Sequence, residues 1–175
     1  MSGGCAIIGC TPICFPWGYD EEDENCVALK LLMLHQITAL REQGIARFNV
    51  SMDCGAGLYA AEMLNGLRET DGDLEWICYI PYEEQAIKWI PELRERYFNA
   101  LESCSKVITV TQHKTIGCEF AAYLAAIQYA DTVFAIFDAD NPKCEREANI
   151  VSVAKENGKM VIVLDPASIG QIMNR

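Results

Sequence analysis

Six short apolar runs punctuate the chain, each followed by a polar turn and then by a stretch whose apolar residues return every three or four positions. The runs are Cys5 to Gly9, Phe48 to Ser51, Trp76 to Ile80, Lys106 to Val110, Thr132 to Phe137 and Met160 to Leu164. They are rich in Ile, Val and aromatic residues and lack the alternation of a strand with one wet face. They therefore read as strands covered on both sides, the condition of a parallel sheet between helices. Leu29, Leu32, Met33, Ile37 and Leu40 mark a helix from Asn25 to Gln43, with Gly44 as its stop. A second helix begins near Gly55 and turns Leu58, Ala61, Leu64 and Leu67 inward. Pro91 suits the first turn of a third, Glu92 to Leu101, where no N–H donor is needed. Further helices fit Glu119 to Tyr129 and Glu145 to Asn157, the last closed by Gly158.

Strands alternating with helices predict an α/β fold: a Rossmann-like three-layer α/β/α sandwich, its sheet mostly parallel and of about six strands, forming one domain over residues 1–175. Such a sheet works at the carboxyl ends of its strands. The turns Gly9 to Pro12, Met52 to Gly57, Pro81 to Gln85, Thr111 to Lys114 and Asp138 to Lys143 are therefore the places to look for chemistry. The chain shows no internal repeat and no low-complexity linker.

Charge and composition narrow the partners. A net charge of -11 repels nucleic-acid backbones and anionic lipid, and no basic patch offsets it. No apolar run reaches the ~20 residues of a membrane span, and Met1-Ser2-Gly3-Gly4 lacks the basic and apolar regions of a signal peptide. A cytoplasmic protein with a small-molecule partner is expected, with neither nucleic acid nor membrane. The nine cysteines contain no Cys-x-x-Cys pair. They point to no zinc site and no disulfide framework, and most sit in apolar runs, where a thiol packs as a small hydrophobe. Cys10, Cys14 and Cys54 fall in strand-end loops, where a helix N-terminus would lower a thiol pKa.

The candidate ligand contacts follow from position. Gly9, Gly55 and Gly57 would let backbone amides approach an anion at helix N-termini, although tight strand-to-helix turns account for them equally well. Thr11, Ser51 and Asp53 can add hydrogen bonds, Cys10 and Pro81 share the same edge, and Lys114 and Lys143 are nearby cations whose alternative is plain solvation. Trp17, Tyr19, Tyr59 and Trp89 can stack on a planar group or pack the core. Asp138 and Asp140 can share a metal or cap the turn before Pro142. The acidic run Asp20 to Glu24 reads as a favourable helix start rather than a cation site. His35 lies mid-helix, whereas His113, after the fourth run, is better placed for a ligand. No metal and no firm cofactor is indicated.

At the level of motifs the chain resembles a known family. Ile8-Gly9-x-x-Pro12, then Ala60-Ala61-Glu62 after a glycine-bearing turn, then Ile80-Pro81-Tyr82-x-x-Gln85-x-x-x-Trp89 and Tyr97 look like the YpsA-like family of uncharacterised bacterial proteins, within the SLOG superfamily. That superfamily also holds the DprA proteins and the cytokinin-activating phosphoribohydrolases. The resemblance implies a Rossmann-like fold binding nucleotides or nucleotide-derived ligands, and members that often dimerise. In phosphoribohydrolases a glutamate in a Pro-Gly-Gly-x-Gly-Thr-x-x-Glu motif cleaves an N-glycosidic bond. Glu62 is the analogue to consider, with a structural acid as its alternative.

This chain departs from the family pattern at four places. Thr11 stands where a basic residue is usual. Gly55-Ala56-Gly57 replaces Gly-x-Asp, removing a carboxylate suited to a ribose hydroxyl. Phe120-Ala121-Ala122-Tyr123 replaces an Arg-Asn pair, and Asp140 to Cys144 replaces Gly-Gly-Thr. The expectation is a module that binds a nucleotide-like metabolite without turnover. One alternative is an N-glycosidase using Glu62 or Asp138 and Asp140. Another is a self-associating protein with a vestigial pocket, its seam at Ala121, Ala122, Leu124, Ala125 and Ala126.

Overall fold

The computed structural model describes residues 3–173. Met1 and Ser2, read above for a leader, lie outside them. Six strands, β1 (Gly4–Gly9), β2 (Arg47–Ser51), β3 (Glu75–Tyr82), β4 (Lys106–Thr111), β5 (Thr132–Ile136) and β6 (Met160–Leu164), form a single sheet in the order β4-β3-β2-β1-β5-β6. Every pairing is parallel. The helices between them are α1 (Glu24–Glu42), α2 (Ala56–Arg68), α3 (Pro91–Ser103), α4 (Cys118–Gln128) and α5 (Glu145–Glu156), followed by a short α6 (Ile169–Met173). The α/β three-layer expectation holds, and element ends differ from the sequence reading by only a residue or two.

The chain runs outward from β1 to β4, then crosses back over the sheet to start β5 on the far side of β1. Helices α1, α2 and α3 pack on one another before that reversal, and α4 with α5 after it. Right-handed crossovers put the two groups on opposite faces. Burial follows position in the sheet. β1 and β5 are buried throughout, whereas the edge strands β4 and β6 are largely open. The central strands thus carry the core, which is why their sequences are the most uniformly apolar.

Local chemistry sets the ends. Asp23 caps α1 by accepting from the Asn25 amide at 2.8 Å, so the acidic run does begin the helix. Gly44 and Gly158 take positive φ just after α1 and α5, the stops their positions implied. β3 extends through Pro81, past the expected end at Ile80. Beyond Tyr79 it pairs only with β4, an edge where a missing N–H is tolerated, and the Thr111 hydroxyl donates to the Pro81 carbonyl at 2.9 Å. Arg41 clasps Asp71 through two hydrogen bonds of 2.6 and 3.2 Å, tying the end of α1 to the loop after α2.

Three glycines allow β1, β2 and α2 to meet backbone to backbone. A Cβ on Gly57 would strike the Ser51 carbonyl oxygen, one on Gly9 would strike the Ala56 side chain, and one on Gly55 would lie 2.6 Å from the Cys10 carbonyl oxygen. Gly66, ten residues from Ala56 on the same helix, meets nothing within 4 Å. Two glycine-to-alanine substitutions in α2 should therefore have opposite signs. Gly57→Ala is expected to destabilise by ~1–3 kcal/mol through overpacking, and Gly66→Ala to stabilise by ~0.5–1 kcal/mol through helix propensity. Urea titration of both variants checks this, and a neutral Gly57→Ala would refute the close-packed layer.

Candidate functional site

A cavity of about 170 Å³ opens above the carboxyl ends of β1, β2 and β3, with α4 and α5 closing its far side. Thr11, Ser51, Met52, Asp53 and Pro81 form the strand-end wall. Tyr82 ends β3, Gln85 and Trp89 come from the segment after it, Glu119, Ala122 and Tyr123 from α4, and Arg146 from α5. The position matches the general expectation for an open parallel sheet.

Its floor is organised by Asp53. Asp53 Oδ1 accepts the Gly55 amide at 2.6 Å and the Gly57 amide at 3.1 Å, while the Ala56 amide donates to the Cys10 carbonyl at 3.3 Å. The expectation that Gly55 and Gly57 amides grasp a ligand anion is thereby corrected: the first amides of α2 are already engaged inside the protein. Gly9 likewise serves packing, and its carbonyl accepts the Tyr123 hydroxyl. The other oxygen, Asp53 Oδ2, is buried and has no hydrogen-bond partner, although Asp53 as a whole is only 9% exposed. Gln85 repeats the pattern: its Nε2 donates to the Met52 carbonyl at 2.8 Å, leaving a buried Oε1 without a partner. Two buried oxygens without partners thus belong to residues of one cavity wall: Gln85 Oε1 lacks a donor, and Asp53 Oδ2 lacks an acceptor while the carboxyl is protonated and a donor once it ionises.

Burial dominates the electrostatics. It pushes the Asp53 carboxyl up to about 8, against the pull of the Gly55 and Gly57 amides, with the nearby Glu147 adding to the rise and Arg146 opposing it. Burial also raises Glu147, which is 3% exposed. The Tyr123 hydroxyl lies 2.7 Å from Glu147 Oε1 and 2.9 Å from the Gly9 carbonyl oxygen. One hydroxyl proton serves both contacts when Glu147 is protonated and donates to Tyr123, which then donates to Gly9. The two buried acids thus stand near one another with Arg146 as the one basic residue among the described residues of the cavity wall.

The other sequence candidates are distributed unevenly. Thr11, Ser51, Asp53 and Pro81 line this cavity, and Lys143 lines a neighbouring one. Cys10 is fully buried and Tyr59 packs in the core, stacked on Phe15 at 5.9 Å, so neither faces the cavity. Trp17 stacks on Phe15 at 4.9 Å and is also core. His113 is exposed and sits 2.9 Å from Glu84, outside both cavities. Lys114 lies over the Tyr82 ring. Trp89 does both jobs: it packs edge to face on Tyr97 and shows part of its surface to the cavity. Tyr19 is exposed beside Cys54 and Trp89.

The catalytic candidates are corrected by location. Glu62 is gripped by Arg96, which also holds Glu21 through bonds of 2.6 and 2.9 Å, in a network linking α2, α3 and the loop before α1. Glu62 is not among the residues lining the cavity, and its pairing with Arg96 is that of a structural acid. Asp138 accepts the Asp140 amide at 2.9 Å and shapes the turn before Pro142, with neither acid lining the cavity. Cys14 is raised to about 11 and Cys54 to about 12, and Cys10 rises further, because burial outweighs any helix dipole. The expected activated thiols are therefore absent at these three positions. Among the described residues no group of three or more His, Cys, Asp or Glu side chains is arranged to hold a metal ion.

Sequence reasoning pointed to the turn holding Tyr82 and Gln85 without naming either as a contact, and it missed Glu119, Tyr123, Arg146 and Glu147 as parts of the site. Gln85 and Tyr82 lay within the Pro81-to-Trp89 motif and were discoverable there. Tyr123, Arg146 and Glu147 stand on helices far along the chain, and no local signal joins them to β2.

The family model YpsA, described as the YspA SLOG family, matches residues 6–166, a span that holds all but the first residues of the sheet. The chain is similar to a UPF0398 protein of Halalkalibacterium halodurans, 29% identical over 128 residues that cover 71% of this chain and 67% of that one. It is also similar to UPF0398 proteins of Bacillus thuringiensis strain Al Hakam and Bacillus cereus strain AH187, each 27% identical over 158 residues, covering 89% of this chain and 84% of theirs.

The elevated Asp53 carboxyl makes a signed prediction. Its folded value, about 8, lies above the ordinary 3.8. Between these the native state holds more protons than the unfolded chain, so the contribution to stability is full below about pH 4 and lost as pH rises toward 8. Asp53→Asn keeps an acceptor for Gly55 and Gly57 but cannot titrate. The stability of Asp53→Asn relative to wild type should therefore increase from pH 5 to 8, by at most ~1.4 kcal/mol per pH unit. Urea unfolding across that range measures it, and a gap that stays flat or narrows contradicts the buried-acid assignment.

Proposed function

We propose that this chain, which belongs to the YspA SLOG family, is a small-molecule binding module whose cavity takes a nucleotide or nucleotide-derived ligand and does not turn it over. The observation that supports the reading is the pair of buried oxygens without partners, Asp53 Oδ2 and Gln85 Oε1, on residues lining one cavity at the carboxyl edge of a parallel sheet. A group that both gives and accepts, such as a pentose diol, supplies what the two oxygens lack. The half-buried rings of Tyr82 and Trp89 on the same wall suit the flat face of a base. An elevated Asp53 carboxyl can also donate when protonated, which fits a hydroxyl that both gives and accepts.

The N-glycosidase alternative loses support, because Glu62 is committed to Arg96 and Asp138 to its own turn. For the self-associating alternative, the α4 seam is divided: Ala122 and Ala126 are buried, while Leu124 is 40% exposed beside Ala121 and Ala125. A homo-oligomer remains compatible with the binding reading. The proposed setting is the cytoplasm. All nine cysteines are unpaired thiols, which suits a reducing compartment. No helix among the described residues is long and apolar enough to cross a membrane.

A thermal-shift panel of nucleosides and nucleotides tests the reading. A ligand present at a hundred times its dissociation constant should stabilise the wild type by ~2.7 kcal/mol. Asp53→Leu should abolish the shift, and base release should be absent by chromatography of the incubated ligand. A panel without any shift would overturn it.

A further inference from the structure

The cavity beneath Tyr82 and Trp89 measures about 170 Å³, well short of the ~300–1,000 Å³ that encloses a complete ligand. It has room for one ring with its substituents. A second cavity of about 490 Å³ adjoins it, and Thr11 and Arg146 belong to the linings of both. The shared wall makes the two compartments arms of one depression, with Arg146 at the junction.

The arms differ in chemistry. The first offers two oxygens without partners, and an anion placed there would meet Asp53 and Glu119 in the wall, with Glu147 close by. The second holds Lys143 beside Arg146. Four other cations are committed to carboxylates: Lys30 and Arg96 to Glu21, Arg41 to Asp71 and Arg47 to Glu75. Among the described residues, neither Lys143 nor Arg146 makes an ion pair or a side-chain hydrogen bond within the protein. Glu145 borders the second arm but is exposed to water, and Glu147 is turned into Tyr123. In a chain of net charge -11, two uncommitted cations at one cavity form a local exception to the repulsive field.

We infer that Arg146, with Lys143 behind it, is the anion-holding arm of this site, and that the ligand is a phosphorylated nucleoside with its ring moiety in the first cavity and its phosphate in the second. The inference rests on the binding reading above and adds to it where the phosphate sits and which residues hold it. Arg146 is suited to the task because its planar guanidinium can engage a phosphate through two parallel hydrogen bonds while remaining charged at any working pH. Thr11, on the same rim, can add a hydroxyl donor.

Isothermal titration of the full chain with adenosine, guanosine, cytidine and uridine, and with their 5′-mono- and diphosphates, separates the possibilities. For the base that binds, the wild type should hold the nucleotide at least tenfold more tightly than the nucleoside. Arg146→Ala should bring that ratio close to one, Lys143→Ala should lower it partly, and raised salt should weaken nucleotide binding more than nucleoside binding. A Thr11→Lys substitution in the Arg146→Ala background should restore much of the preference, since it returns a cation to the rim shared by both arms. Circular dichroism verifies that the variants are folded. Equal affinity for nucleoside and nucleotide in the wild type, or a preference that survives in Arg146→Ala, overturns the anion arm while leaving the ring-binding reading intact. If none of these compounds binds, the binding reading itself falls, and this inference with it.

Discussion

The fold of the Asp53 side chain beneath the first turn of α2 is the contact on which the site depends. One carboxyl oxygen takes the Gly55 and Gly57 amides, which satisfies a helix start that would otherwise recruit an anion from solution. The same contact leaves the second oxygen buried against the cavity without a partner. It is possible only because β2 and α2 touch through glycine, since any Cβ at position 57 would collide with the Ser51 carbonyl. Packing and polarity are therefore one arrangement: the close approach that removes side chains from the turn is what makes room for the acid.

A consequence is that the polarity of the site is the reverse of a helix-terminus anion pocket. Its inner wall presents carbonyl and carboxyl oxygens in place of free amides. Burial raises both Asp53 and Glu147, and the single hydroxyl proton of Tyr123 reaches two acceptors only if Glu147 carries a proton of its own. A neutral carboxyl is much cheaper to bury than an ionised one and can act as donor or acceptor. The inner cavity thus suits uncharged, hydroxyl-bearing groups, while charge is best received at the outer rim beside Arg146.

Much of the architecture was legible in the residues because it is written locally. The six unalternating runs became the six strands, and Asp23, Gly44, Pro91 and Gly158 marked helix ends by chemistry confined to one turn. The site was only partly legible. Thr11, Ser51, Asp53 and Pro81 could be found because a parallel sheet puts its working residues at strand ends. The role of the glycines could not be decided in advance, since close packing and ligand approach both require a missing Cβ. Tyr123 and Glu147 meet above β1 only after the long crossover from β4 to β5 brings α4 and α5 together, and nothing in the spacing of the two residues announces it.

The departures from the family pattern also look different in space than along the chain. Position 57, where an Asp is usual, is glycine here, and the carboxyl carbon of Asp53 lies 3.3 Å from where a Cβ on Gly57 would sit. An acid four residues earlier in the sequence thus reaches nearly the place that a side chain at position 57 would take. Arg146 stands in a similar relation to Thr11: both line one rim, and the cation missing from the loop after β1 is available from α5. Comparing motifs position by position counts four departures, with charged groups lost among them, whereas the cavity wall still holds Asp53, Glu119 and Arg146. A binding surface is defined by which groups reach a common volume, so an exchange between neighbouring elements can preserve its chemistry while erasing the motif that would have revealed it.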